Sequence, residues 1–278
     1  MLEKKIQKRK AFFISDKTGI TSEMLGHSIL SQFDEIIFIE KTIPFIDNEE
    51  KALNALDTID KQTKDDTFKP IIFSTLVDKN ISKIIQNKSN AIFLDCFQIF
   101  IAPLEKELGV SSSHSIGKIR SVNNTGYFKR IEAVNFALQY DDGQVSRDLS
   151  KADIVLIGVS RCGKTPTCLF LAMQYGIKAA NYPIIPEDFL NDRLPEFILK
   201  IKNKVFGLSI DPQQLSQIRE KRRPNSEYAS YSNCIFETQS ANKLMGKEKI
   251  TFFDMTNQSI EEISSQILQY INWNRNQI

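Results

Sequence analysis

Short apolar runs and amphipathic stretches alternate along the first part of the chain. Four apolar runs have the length of buried strands: 10–15, 36–40, 70–74 and 91–95. Apolar residues at helical spacing, together with turn and cap residues, predict helices after each of them, near 21–33, 48–61, 81–87 and 97–108. Strands that alternate with helices are typical of a parallel sheet. The pattern therefore predicts an N-terminal α/β domain with a mostly parallel sheet over residues 1–108.

The composition changes at residue 109, where Ser, Gly and Asn become frequent up to Gly126. Such a stretch is typical of a connection between domains, and we assign it to 109–127. Alternation resumes beyond it, with a predicted helix at 128–139. Further elements are expected at 153–158, 164–175, 179–186, 187–200 with a break at Pro195, 205–210, 213–221 and 259–272. A second α/β domain is therefore predicted for 128–278. It contains a G-x-x-x-x-G-K-T motif at 158–165, which is typical of P-loop kinase-like domains.

The strand that ends at Gly158 runs directly into the pattern G-x-x-x-x-G-K-T. In a phosphate-binding loop the two glycines allow a tight turn whose amides surround a phosphate, Lys164 supplies a cation, and Thr165 binds Mg²⁺ through its hydroxyl group. A helix follows at once, and its N-terminus favours an anion. We predict a nucleotide site made by Gly158, Val159, Ser160, Arg161, Cys162, Gly163, Lys164 and Thr165.

Phosphoryl transfer also needs a carboxylate that orients or deprotonates the attacking oxygen. Asp142 is the first candidate, because it lies in an acidic Asp-Asp-Gly turn shortly before the loop strand. The same turn is equally typical of a solvated β-turn. Asp211, at the end of an apolar strand, is a candidate Mg²⁺ ligand, although capping of the following helix also explains it.

Several other polar residues have both a functional and a structural explanation. Arg161, inside the loop, could clamp a phosphate or be an exposed side chain. Arg222 and Arg223 end a cationic run at a helix C-terminus, where positive charge is favourable without any ligand, but an anion or a partner protein could dock there. Asp16 follows the first strand and, with Thr18 and His27, could form a polar site, although turn, cap and core roles also explain these residues.

Composition excludes several classes of protein. A hydrophobic share of 41% and a charged share of 25% are typical of a globular protein, and no apolar run approaches the roughly 18 residues of a membrane span. A net charge of +2 gives no general attraction to nucleic acid. The four cysteines have no C-x-x-C spacing and only two histidines accompany them, so neither a zinc site nor a disulfide framework is indicated. A cytoplasmic location is expected.

Several segments that together span nearly the whole chain match one family pattern: 13–21, 130–134, 141–143, 158–167, 176–183 and 222–230. With these segments the chain resembles the regulatory proteins of pyruvate, phosphate dikinase and of phosphoenolpyruvate synthase. The loop glycines, Lys164 and Thr165 all agree with the family pattern. Cys162 is a conservative departure, since many relatives have Ser or Thr there, and it leaves the cradle of backbone amides intact.

The resemblance implies a bifunctional serine/threonine kinase and phosphorylase. It implies that a threonine of pyruvate, phosphate dikinase, or alternatively of phosphoenolpyruvate synthase, is phosphorylated with ADP as donor, which inactivates the target. It further implies that inorganic phosphate removes this group and yields pyrophosphate. In this scheme Lys164, Arg161 and Mg²⁺ offset charge on the moving phosphate, and Asp142 exchanges the threonine proton.

Two other functions are compatible with the same loop. One is a kinase for a small molecule or a nucleotide hydrolase, and the other is a non-catalytic adaptor that senses a nucleotide. The sequence leaves the oligomeric state open, including a homodimer, and does not decide whether one site or two serve the two reactions.

Overall fold

The computed structural model describes residues 7–112, 124–141 and 149–273, and the chain divides into two compact units, Met1–Arg120 and Ser121–Ile278. The first unit has four strands: β1 Gln7–Ile14, β2 Ile36–Ile43, β3 Ile71–Ser74 and β4 Ile92–Asp95. Its described helices are α1 Ile20–Leu30, α2 Glu49–Thr63, α3 Lys79–Lys88 and α4 Gln98–Leu108. The strands form one parallel sheet in the order β2-β1-β3-β4.

Helices cover both faces of this sheet. Successive side chains of β1 point to opposite faces, so Phe12 and Ile14 pack with α2 and α3, while Ala11 and Phe13 pack with α1. A strand that is buried on both sides reads as a continuous apolar run, which explains why the sequence pattern revealed β1. β2 is an edge strand with alternating exposure, and exposed positions of a strand can be polar. The strand therefore continues through polar residues to Ile43, beyond its predicted end at residue 40.

The second unit repeats this arrangement. Its strands are β5 Ile154–Gly158, β6 Ala179–Pro183, β7 Val205–Ser209 and β8 Phe252–Asp254, and they form a parallel sheet in the order β6-β5-β7-β8. Its described helices are α5 Asn124–Gln139, α6 Lys164–Tyr175, α7 Pro186–Leu190, α8 Glu196–Leu199, α9 Pro212–Arg222, α10 Tyr231–Lys247 and α11 Ile260–Tyr270. Short 3₁₀ turns lie at Leu149–Lys151, Lys202–Lys204 and Glu227–Ala229.

The predicted fold class, two α/β domains with parallel sheets, is confirmed. The predicted connection is too long at its end, because α5 begins at Asn124 and residues 124–127 are helical. The helix predicted at 187–200 is two short helices, and Pro195 is the N-cap of the second. Within the described ranges, no helix has both the length and the apolar character needed to cross a membrane.

The sequence pattern did not reveal α10 or β8. The buried face of α10 consists partly of small or polar residues, including Cys234, Thr238 and Ala241, so its apolar periodicity is weak although the helix has 17 residues. β8 has only three residues and pairs with β7 at the edge of the sheet. Elements that are short or that pack through small side chains leave little signal in an apolar pattern.

Candidate functional site

The loop between β5 and α6 turns at two glycines. β5 is buried along its whole length and ends at Gly158, whose φ is 154°. A Cβ atom there would lie 2.4 Å from the carbonyl oxygen of Leu208, so only glycine fits. Gly163 has φ 93° and is the N-cap of α6, without a side-chain cap. The amides at the start of α6 are therefore left for another acceptor, as in a helix that binds an anion.

Lys164 lies over this loop. Its side chain is buried, and Nζ donates a hydrogen bond to the carbonyl oxygen of Val159 at 2.8 Å. Cys162 is also buried, and Lys164 Nζ lies 4.0 Å from its Sγ. Burial raises the pKa of the Cys162 thiol, although the Lys164 charge partly opposes this effect. Cys162 therefore fills space under the loop as an uncharged thiol, and the ammonium group is the cation of the site.

A polar cluster surrounds the hydroxyl group of Thr165. Thr165 Oγ1 donates to Asp141 Oδ1 at 2.7 Å. Asn181 Nδ2 donates to the same carboxylate oxygen and to Thr165 Oγ1, the latter at 3.0 Å. Asn181 belongs to β6, where it pairs with Leu156 of β5, and its amide donates to the carbonyl oxygen of Tyr140 at 3.3 Å. Asn181 of β6 thus holds Asp141, the first residue of the acidic turn, beside the loop between β5 and α6.

The groups in this cluster suit Mg²⁺. Mg²⁺ prefers hard oxygen ligands and is usually held by one or two carboxylates, hydroxyl groups and substrate phosphates rather than by a full protein cage. Thr165 Oγ1 and Asp141 provide such oxygens side by side. The described part of the chain contains no group of three or more His, Cys, Asp or Glu residues placed to hold a metal. If a nucleotide brought Mg²⁺ to this loop, Thr165 and Asp141 are the residues that would hold it together with the phosphates.

Asp211, the second predicted Mg²⁺ ligand, caps a helix. Its Oδ1 accepts hydrogen bonds from the amides of Gln213 and Gln214 at 2.9 and 3.0 Å, at the start of α9. This is the capping arrangement that the sequence left open beside a metal role. Asp211 is not part of the cluster around Thr165.

A buried arginine connects α9 to the phosphate loop. Arg219 Nε and Nη2 donate to the carbonyl oxygen of Ser160 at 3.3 and 3.0 Å, and Nη1 donates to the carbonyl oxygen of Tyr228 at 3.0 Å. Nη2 also pairs with Glu237 Oε2 at 2.6 Å. The guanidinium stacks 4.2 Å above the Tyr228 ring, and the Tyr228 hydroxyl lies 2.9 Å from Ser160 Oγ. Arg219 is fully buried, in contrast to Arg222 and Arg223, which are exposed at the end of the same helix.

The other predicted site residues lie in different surroundings. Arg161 is exposed and has a left-handed backbone with φ 74°. Arg222 and Arg223 are exposed at the end of α9, where Arg223 is the C-cap residue. Asp16 is buried in the first unit. Asp142, the predicted base, lies outside the described residues, and its role stays a prediction.

Sequence reasoning missed three residues of the site: Asp141, Asn181 and Arg219. Asp141 precedes the chosen candidate in the same acidic turn, and nothing in the spacing favours one over the other. Asn181 gave a weak signal, since a polar amide within the short buried strand β6 requires a partner. Arg219 gave none, because its neighbours Ile218 and Glu220 are exposed and further exposed cations follow at 221–223.

Known proteins are similar to this chain over nearly its whole length. A sequence model of the family described as kinase/pyrophosphorylase matches residues 11–268. The chain belongs to this kinase/pyrophosphorylase family. A family member from Herminiimonas arsenicoxydans is 52% identical over 264 residues, which is 95% of this chain and 93% of that protein. One from Azoarcus sp. (strain BH72) is 51% identical over 270 residues, covering 96% of this chain and 97% of that protein.

A third relative, from Pseudomonas aeruginosa (strain LESB58), is 50% identical over 262 residues, which is 94% of this chain and 95% of that protein. All three relatives carry the name phosphoenolpyruvate synthase regulatory protein. The predicted family is thereby confirmed, and the chain is a phosphotransferase of the kinase/pyrophosphorylase type. The matched range includes both units, from β1 to α11.

Proposed function

We propose that this protein regulates phosphoenolpyruvate synthase by phosphorylating one of its threonines with ADP and by removing that phosphate with inorganic phosphate. The hydrogen bond between Thr165 and Asp141 carries the proposal, because it joins an acidic turn to a phosphate loop at 2.7 Å. A loop alone binds a nucleotide, whereas a loop beside a carboxylate can also direct an attacking oxygen. Family membership and the names of the relatives agree with this reaction class.

In the forward direction, the threonine hydroxyl oxygen forms a bond to the β-phosphorus of ADP. The bond from that phosphorus to the bridging oxygen of the α-phosphate breaks, and AMP leaves. Lys164 and the uncapped amides of α6 would hold the transferred group, and exposed Arg161 would offset the charge that develops on the leaving oxygen. Mg²⁺, when bound at Thr165 and Asp141, supplies further neutralisation of the phosphates. Asp142 would accept the threonine proton.

In the reverse direction, an oxygen of inorganic phosphate forms a bond to the phosphothreonine phosphorus. The bond to the threonine oxygen breaks, so the products are free threonine and pyrophosphate. Asp142, protonated in this direction, would return the proton to the threonine oxygen. Both reactions place two phosphates in line at one loop, so a single site suffices for both.

The names of the relatives favour phosphoenolpyruvate synthase as the target over pyruvate, phosphate dikinase. Each candidate target should therefore be incubated separately with the protein, ADP and Mg²⁺, followed by mass spectrometry of the target and chromatography of the nucleotides. We expect phosphothreonine on the synthase and an equal amount of AMP, with Lys164→Ala as the inactive control. Transfer to the dikinase alone would reassign the target.

Transfer of phosphate to water or to a small acceptor, with neither target modified, would refute the regulatory function. It would leave a small-molecule kinase or a nucleotide hydrolase on the same loop. The second reaction is tested in the same sample by adding inorganic phosphate. We expect the phosphorylated target to return to its free form with release of pyrophosphate.

A further inference from the structure

The two units share a topology that places equivalent loops at equivalent strands. In each sheet the first strand lies between the second and the third, in the orders β2-β1-β3-β4 and β6-β5-β7-β8. The strand order reverses beside β1 and beside β5, and ligands of open parallel sheets bind at the carboxyl ends of strands at such a point. The phosphate loop follows β5. The loop at 15–19, which follows β1, occupies the same place in the first unit.

These two loops also end alike. Gly19 has φ 81° and is the N-cap of α1, as Gly163 with φ 93° is the N-cap of α6. Neither helix has a side-chain cap at its N-terminus. α1 has 11 residues, and Ile20 in its first turn is about half exposed. The start of α1 is thus available to an anion, as at the phosphate loop.

One oxygen of a buried carboxylate at this loop lacks a hydrogen-bond partner among the described residues. Asp16 is only 6% exposed, and its Oδ2 has no partner within the described residues. Its Oδ1 accepts a long hydrogen bond from Ser15 Oγ at 3.5 Å. A buried acceptor without a donor costs about 1–3 kcal/mol, more when it is charged, so such an atom requires an explanation.

The surroundings place this carboxylate between the ends of β1 and β3. Burial raises the pKa of Asp16, and the backbone amides of Asp16 and Val77, with the charge of Lys17, offset this only in part. Val77 follows β3, and Thr75 at the end of β3 donates its amide to the carbonyl oxygen of Ile14 at 3.0 Å. The loop after β1 is held on its other side by Phe45 and Ile46, whose amides donate to Lys17 and Ser15. The carboxylate therefore lies on a rigid frame at the point where the strand order reverses.

The groups at this point define the ligand. The free oxygen of Asp16 requires a donor such as a hydroxyl group, and the N-terminus of α1 favours an anion. A buried lysine, Lys164, follows Gly163 at the start of α6, whereas Ile20 follows Gly19 at the start of α1. The buried charged side chain of the loop after β1 is the Asp16 carboxylate, and Lys17 is exposed, so a bare polyphosphate does not suit this loop. A sugar that carries a phosphate group has both hydroxyl donors and an anion.

We propose that residues 15–19, the start of α1 and the residues that follow β3 form a second binding site for the hydroxyl groups and phosphate of a ribose phosphate. The ligand could be a free sugar phosphate or the ribose phosphate of a nucleotide. The proposal does not depend on the reaction proposed for the second unit.

The test is isothermal titration calorimetry on the full chain that carries Lys164→Ala, a change that disables the phosphate loop. Ribose 5-phosphate and AMP are the two probes. We expect saturable binding of one equivalent, weakened at least about tenfold when Asp16→Asn is added, because a charge-assisted hydrogen bond is lost. Asp57→Asn is the matched control, since Asp57 is an exposed aspartate of the same unit that pairs with Lys61. AMP binding at least about tenfold tighter than ribose 5-phosphate would assign the site to nucleotides, and equal affinities would assign it to sugar phosphates.

Hydrogen exchange provides a second measurement that does not depend on a buried substitution. Bound ribose 5-phosphate should slow exchange of amides in 15–22 and 75–78, and Thr18→Val, at a half-buried loop position, should reduce this protection. If Asp16→Asn does not fold, as judged by circular dichroism, this experiment decides. Three results would each overturn the proposal and leave Asp16 with a structural role. These are no saturable binding of either probe, unchanged affinity in a folded Asp16→Asn variant, and unchanged hydrogen exchange when ribose 5-phosphate is added.

Discussion

Arg219 donates two hydrogen bonds to the carbonyl oxygen of Ser160, one from Nε at 3.3 Å and one from Nη2 at 3.0 Å. In a trans peptide the carbonyl and the next amide point in opposite directions, so this contact also fixes the direction of the Arg161 N–H. Arg161 has φ 74°, a left-handed conformation that costs a non-glycine residue roughly 1–2 kcal/mol. Arg219 therefore stabilises a strained peptide of the phosphate loop.

Replacing Arg219 by lysine tests this role. Lysine keeps the positive charge but cannot bind Ser160, Tyr228 and Glu237 at once, because it lacks the planar fork of donors. We expect the free energy of unfolding to fall by about 3 kcal/mol, as for a broken buried ion pair, and ADP affinity to fall about tenfold in the folded fraction. Urea unfolding and calorimetry measure the two effects separately.

Arg222→Lys is the control, because Arg222 is exposed on the same helix. It should change stability by no more than about 0.5 kcal/mol. A loss of stability in Arg219→Lys without any loss of ADP affinity would show that Arg219 supports the fold but does not position the loop.

The adjacent aspartates of the acidic turn should have separable roles. Asp142→Asn should retain ADP binding but lower the rate of phosphorylation by about 10²–10⁴-fold, the usual contribution of a general base. Asp141→Asn should mainly weaken the response to Mg²⁺, because Asp141 contacts Thr165. Single-turnover rates measured across a Mg²⁺ titration distinguish these effects. If the protein were a non-catalytic adaptor, the Asp142→Asn variant would keep its effect on the target protein.

The sequence predicted the parts of this fold that depend on local patterns. β1, β3 and β5 are buried on both faces and therefore read as apolar runs, and the loop after β5 turns at Gly158 and Gly163, where φ is positive. The capping role of Asp211 was also among the explanations that the sequence offered, because a cap involves only neighbouring residues.

Contacts between distant residues could not be read in the same way. Asn181 reaches Asp141 across 40 positions, and Arg219 reaches Ser160 across 59. Such contacts depend on which strand lies beside which, and the order β6-β5-β7-β8 is a property of the assembled sheet. A single sequence shows the residue types of these partners but not their pairing.

Lys164 should be essential for tight nucleotide binding. Its side chain is buried, and its ammonium group donates a hydrogen bond to the carbonyl oxygen of Val159 in the loop. Lys164→Ala should weaken ADP binding about 10–100-fold, the range expected for loss of a charge-assisted hydrogen bond. Lys178→Ala, which removes a partly exposed lysine paired with Glu132, should leave calorimetric ADP affinity unchanged. Unchanged affinity in Lys164→Ala would place nucleotide binding elsewhere.

Asp188 should contribute more to the free energy of unfolding at acidic pH than at neutral pH, whereas an aspartate in a surface ion pair contributes more at neutral pH. Its Oδ2 accepts hydrogen bonds from the Tyr182 hydroxyl at 2.9 Å and from the Ile185 amide at 3.0 Å. Burial nevertheless raises its pKa above the model-peptide value of 3.8, since those hydrogen bonds offset desolvation only in part. The folded protein therefore takes up this proton at a higher pH than the unfolded chain does.

A raised pKa in the folded state means that the ionised carboxylate opposes folding at neutral pH and that this cost disappears as the pH falls towards 3.8. The free energy of unfolding of the wild type minus that of Asp188→Asn should thus increase as the pH is lowered through this window. The increase amounts to about 1.4 kcal/mol for each pH unit that separates the folded and unfolded pKa values. Urea unfolding of both proteins at a series of pH values measures the difference, in which the other titrating groups cancel.

Asp192→Asn is the control with the opposite sign. The hydrogen bond and charge of Lys247 lower the pKa of Asp192, so its contribution to stability is present above pH 3.8 and is lost as the pH falls through the lower folded value. The wild-type-minus-variant difference should decrease there for Asp192→Asn. A difference for Asp188→Asn that stays flat, or that follows the Asp192 curve, would show that burial does not control the ionisation of Asp188.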